Sequence, residues 1–123
     1  MKERLERIAR EVFREEFGVE PESAEVSTTY IEMIVSARTV IRKEQLPQEI
    51  AEYLQLKGKN AVVLSLRLAY PYSGSESDSE WQQGVGITPT SWYRTKIVYI
   101  DNQRAIARLA VDLVDTHKED NDP

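Results

Sequence analysis

The sequence predicts an α+β fold built as a two-layer sandwich, with helices covering one face of a small sheet. Three observations carry this reading. Apolar residues recur at three- and four-residue spacing near the amino terminus, two mid-chain stretches alternate apolar and polar residues, and 123 residues suffice for one core but not two. The expected order is helix, strand, helix, strand, strand, helix. The sheet is expected to be mixed and three-stranded, with room for a fourth short strand at Val85 and Ile87.

In residues 1–17, Leu5, Ile8, Ala9, Val12 and Phe13 fall on one helical face. Glu3 with Arg7 and Glu6 with Arg10 stand four apart, and Gly18 suits a left-handed cap. Residues 25–41 contain neither Gly nor Pro and read as one long strand. Ile31, Met33, Val35 and Ala37 share one of its faces, and Tyr30, Glu32, Ser36 and Arg38 the other. That length predicts a bend, a bulge or a protruding end.

Pro47 opens a second helix with Ile50, Tyr53 and Leu54 inward, and Gly58 stops it. Residues 60–70 form a second strand with Val62, Leu64, Leu66 and Leu68 inward and Ser65 and Arg67 outward. A right-handed crossover is expected to leave these first two strands parallel, while a third strand at 92–100 pairs antiparallel with the second. Residues 103–117 read as a last helix on the stripe Ile106, Leu109, Ala110, Leu113 and Val114, with Asp101 or Asn102 as its cap. The domain therefore spans 1–117, with a long loop at 71–90 and a disordered acidic tail at 118–123.

The net charge of -5 is unevenly spread. Residues 1–25 carry 5 basic against 8 acidic groups, and residues 112–123 carry 1 against 5, whereas residues 91–111 carry 4 against 1. With no cysteine, disulfides, thiolate metal sites and cysteine nucleophiles are all excluded. The longest apolar run, "AVVLSL", is far shorter than the roughly 18 residues of a membrane helix, and the charged amino terminus lacks a signal-peptide core. A cytoplasmic location without membrane insertion is the expectation.

Catalytic inventory is thin. The lone histidine, His117, stands where the last helix frays, and Glu32 and Asp101 are isolated carboxylates, so no catalytic constellation, metal site or cofactor is expected. Acids alternate in "SESDSE" but lack the glycine turn and distant glutamate of a calcium loop. "GVGITPTS" is not followed at once by a helix that would complete a phosphate cradle.

What remains is surface. If helices cover the aliphatic face of the sheet, the opposite face is expected to present Tyr30, Arg38, Arg67, Trp92, Arg94 and Lys96. Interleaved aromatic and basic residues suit base stacking and phosphate neutralisation, although an ordinary half-exposed strand looks the same. The loop 71–90 contributes Tyr72 and Trp81 as aromatic flanks, either packed on the sheet edge or anchoring a partner.

The stretch "VSARTVIRKEQLPQEIAEYLQLKGKNAVVLSLRL", residues 35–68, resembles a strand–helix–strand piece in soluble extensions of the uncharacterised hydrophobic-domain family of bacterial membrane proteins. The features that carry the resemblance are "VSAR" before a polar break, "LPQEIAEYL", Gly58 and the apolar strand after it. It implies a soluble domain associated with a membrane protein and transfers no catalytic residue. The sequence reading is thus a non-enzymatic interaction or assembly module, self-associating as a homodimer or docking on another protein. Single-stranded nucleic-acid binding through the third strand is the alternative.

Overall fold

A computed structural model describes residues 1–54, 61–72 and 91–114 and shows the α+β class. Helix α1, Lys2–Phe17, is followed by strands β1, Ser23–Thr28, and β2, Glu32–Arg42. A single 3-10 turn, Lys43–Gln45, and helix α2, Gln48–Leu54, lead to β3, Ala61–Pro71, and then to β4, Ser91–Ile100, and β5, Gln103–Val114. The strands form one five-stranded sheet in the order β1-β2-β3-β5-β4, antiparallel at every pairing.

Helix α1 forms where its periodicity places it. Leu5, Ala9, Val12, Phe13 and Phe17 are buried, and the Phe13 and Phe17 rings meet edge to face with centroids 4.9 Å apart. Gly18 ends it at φ 78, where a β-carbon would be strained by the backbone alone, since nothing lies within 4 Å of that position. The stripe packs on the inward positions of the sheet: Val35 and Ala37 of β2, Leu64, Leu66 and Leu68 of β3, and Ala107, Leu109 and Val111 of β5. Leu46 and Ile50 add the α2 region to the same core, so both helices lie on one face as expected.

Several expectations are corrected. The supposed long strand is the hairpin β1–β2, because the chain reverses at Thr29–Ile31 without any glycine. The Thr29 hydroxyl accepts from the amides of Ile31 and Glu32 at 3.3 and 3.1 Å, and the Thr29 amide donates to the Glu32 carbonyl at 2.8 Å. Among the described residues only Gly18, Asp101 and Asn102 have positive φ, so this turn uses ordinary backbone and carries no Gly or Asn signal.

Next, β2 and β3 are antiparallel, not parallel, with Arg42 opposite Ala61 and Glu32 opposite Pro71. A parallel return would have to retrace an 11-residue strand, about 36 Å, whereas the seven residues of α2 span about 10 Å. The helix therefore caps one end of the sheet region and does not carry the chain back.

Finally, residues 103–114 are a strand, not a helix. Ala105, Ala107, Leu109 and Val111 are buried and alternate with Arg104, Ile106, Arg108 and Ala110, so period 2 fits them as well as period 3.6. The turn decides the matter. Asp101 and Asn102 have φ 53 and 65, the left-handed pair of a two-residue type I′ hairpin, and this joins β4 to β5 directly.

Among the described residues the sheet thus has five strands, not three or four, and β3 does not pair with β4. Both pair with β5, which lies between them, so Tyr72 and Ser91 stand at opposite ends of the sheet. That separation, about 30 Å, accounts for the length of the connection. Residues 73–90, with the expected short strand at Val85 and Ile87, and residues 115–123, with the expected acidic tail, lie outside the described residues, as does Gly58.

Phe13→Ala should lower unfolding free energy by about 3 to 5 kcal/mol in urea titration, since its ring is fully buried beneath the sheet. Arg4 makes two hydrogen bonds to the Asp101 carboxylate, at 2.6 and 3.0 Å, which hold that exposed carboxyl below its ordinary titration range. A depressed folded value means the contact contributes at neutral pH and is lost as pH falls through it. In an NMR pH titration, Arg4→Gln should move the Asp101 midpoint upward.

Candidate functional site

The pairing registers sort the side chains of each strand onto the two faces. On the helix-free face one row across the sheet reads Glu25, Ser36, Arg67, Arg108 and Thr95, and the next reads Ser23, Arg38, Ser65, Ala110 and Tyr93. Arg67 and Arg108 are direct cross-strand partners, with Cβ atoms about 5 Å apart, and Arg38 sits diagonally from Arg67 at about 7 to 8 Å. Tyr93 forms a wall, with the Arg108 guanidinium carbon 5.8 Å from its ring centroid. All of these except Thr95 line a shallow concavity of about 380 Å³, as does Asp112.

This face is not uniformly polar. Ile34 and Ala69 are buried there as a small separate cluster, in the row that continues to Ile106 and Ile97. Ile97 is 43% and Tyr99 71% exposed, both on β4, at the edge of the sheet.

The sequence-derived candidates divide accordingly. Arg38 and Arg67 are exposed on the helix-free face, as expected, and share the concavity. Arg94 and Lys96 are on the opposite face, opposite Leu109 and Ala107 in register, so the expectation that they line the open face is corrected. The reason is a one-residue phase: Tyr93, Thr95, Ile97 and Tyr99 take the open positions of β4. Arg94 and Lys96 turn to α1, where both bond Glu16, at 3.0 and 3.1 Å, and Arg94 lies 3.5 Å from Glu49 of α2.

Tyr30 is not on the sheet face either. It projects fully exposed from the β1–β2 turn. Tyr72 follows β3 at the same end, exposed, with its amide donating to the Ile31 carbonyl at 2.9 Å. Trp92 pairs through its backbone with Val111, while its side chain and all of Trp81 lie outside the described residues, as does His117.

Sequence reasoning missed Arg108, which lay in a segment read as helix, and left Tyr93 off the open face by placing Trp92, Arg94 and Lys96 there. It also passed over Glu16. That residue falls three and four positions from Phe13 and Val12, on the edge of the apolar stripe, with its side chain only 12% exposed. An acid in that position calls for a cation opposite it.

Among the described residues no group of three or more acidic or histidine side chains is placed to hold a metal ion, and no helix is long and apolar enough to cross a membrane. Asp101, one of the two carboxylates considered for chemistry, is engaged by Arg4 in the β4–β5 turn. No family model, curated protein or solved structure matches the chain.

Glu16→Gln should destabilise the fold by about 1 to 2 kcal/mol, because it weakens charge-assisted bonds to two partly exposed cations at once. Thermal denaturation of Glu16→Gln beside Glu20→Gln measures this. The second variant removes the partner of an exposed pair with Arg14 and should change little.

Proposed function

We propose that the protein is a non-enzymatic assembly module that pairs with a second copy of itself along β4. The observation that carries this reading is the character of that edge. β4 is ten residues long, contains neither Gly nor Pro, and has no described strand on its outer side. Natural edges are usually guarded by charge, proline or shortness. β1, at the other edge, is six residues long and bears the exposed Glu25.

On β4 the two basic side chains that would guard the edge are drawn toward α1 by Glu16. The open positions are left to Tyr93, Thr95, Ile97 and Tyr99, none of them charged. Antiparallel pairing about a two-fold axis at Ile97 sets Ile97 against its own copy and Thr95 against Tyr99, a β-branched and aromatic pair of the kind that stabilises sheets. The two sheets then become one, and the helices of both copies lie on the same side.

Docking on another protein through Tyr30 and Tyr72, or association with a membrane protein as the resemblance over residues 35–68 implies, extends the same class of function. The absence of cysteine suits a reducing compartment such as the cytoplasm. Nucleic-acid binding through Arg94 and Lys96 finds less support, since both cations are engaged with Glu16.

Sedimentation velocity across the micromolar range tests the assembly. The wild-type chain should dimerise, and Ile97→Lys should raise the dissociation constant at least about tenfold while leaving the circular dichroism unchanged. A wild-type chain that stays monomeric at high micromolar concentration removes the proposal.

A further inference from the structure

We infer that the arginine-lined concavity on the helix-free face binds a small phosphate ester that also carries hydroxyl groups, a ligand of sugar-phosphate size. Three guanidinium groups, Arg38, Arg67 and Arg108, come from three adjacent strands onto one patch. The guanidinium fork matches phosphate oxygens two at a time, and strands hold it more rigidly than loops would. Arg67 and Arg108 face each other across the β3–β5 pair, so an anion set between them can accept hydrogen bonds from both.

The remaining lining defines the rest of the ligand. Ser23 and Ser36 place hydroxyls beside the arginines, whereas Ser65 donates its proton to the Ala110 carbonyl at 3.5 Å and so faces the ligand as an acceptor. Glu25 and Asp112 line the concavity as acceptors too. A second phosphate would be repelled there, but the hydroxyls of a sugar would be held. The same two carboxylates argue against a polyanion, whose backbone would run past them, and the volume of about 380 Å³ falls in the range of small-molecule sites. This site lies on the sheet face and does not require β4 pairing.

The probe is glucose 6-phosphate, followed by amide chemical shifts of the intact chain at about 0.15 M salt, where screening suppresses diffuse charge effects. The expected result is saturable binding with shifts centred on Ser36, Arg67 and Arg108. Arg38→Gln and Arg67→Gln should each weaken it about tenfold, and Arg94→Gln, on the opposite face, should leave it unchanged. Glucose without phosphate should bind at least about tenfold more weakly. Three results would overturn the inference: no saturable shift in the wild-type chain, equal weakening by Arg94→Gln, or tighter binding of a single-stranded oligonucleotide than of glucose 6-phosphate at the same patch. Sedimentation of the same samples reports assembly separately, so failure of one reading is distinguishable from failure of the other.

Discussion

The structure depends on one fit: the apolar stripe of α1 laid across the inward positions of β2, β3 and β5. Leu5, Ala9, Phe13 and Phe17 meet Val35, Leu64, Leu66, Leu68, Leu109 and Val111, all of them essentially without solvent contact. Side chains along a strand alternate faces, so a slip of one residue in any of these strands would carry its whole inward set into water. Burial of each such side chain contributes about 1.5 to 3 kcal/mol, which makes the register cooperative and nearly unique.

Two ion contacts refine the fit at its margins. Arg4 ties the start of α1 to the β4–β5 turn through Asp101, and Glu16 ties its end to Arg94 and Lys96 on the edge strand. The helix is thereby tied at both ends to the β4–β5 hairpin. The second contact also decides the chemistry of the edge, because it draws positive charge to the helix side and leaves the other side of β4 aromatic and aliphatic.

Much of this was legible in the sequence. The helix α1 and its glycine stop, the inward set of β3, and the outward placement of Arg38 and Arg67 all follow from periodicity, which is a property of local geometry. What was not legible depended on turns and on distant partners. The Thr29 reversal is closed by a side-chain hydroxyl and has no residue that demands unusual backbone angles, so a hairpin looks like one strand. Residues 103–114, rich in Ala, Arg and Leu, favour helix by intrinsic propensity, and only the Asp101–Asn102 pair before them reports the hairpin. Misreading that one turn displaced Arg108 from the candidate site, and a shift of one position on β4 put Arg94 and Lys96 on it.

The strand order has a consequence for how the chain acquires its shape. β5 is the last strand along the described chain, yet it sits inside the sheet, between β3 and the edge. During synthesis the first three strands and α1 can come together early, but β4 has no neighbour to join until the segment after it has left the ribosome. Pairing of β4 therefore waits on β5, and until β5 is in place the flank of β3 is an unpaired strand edge.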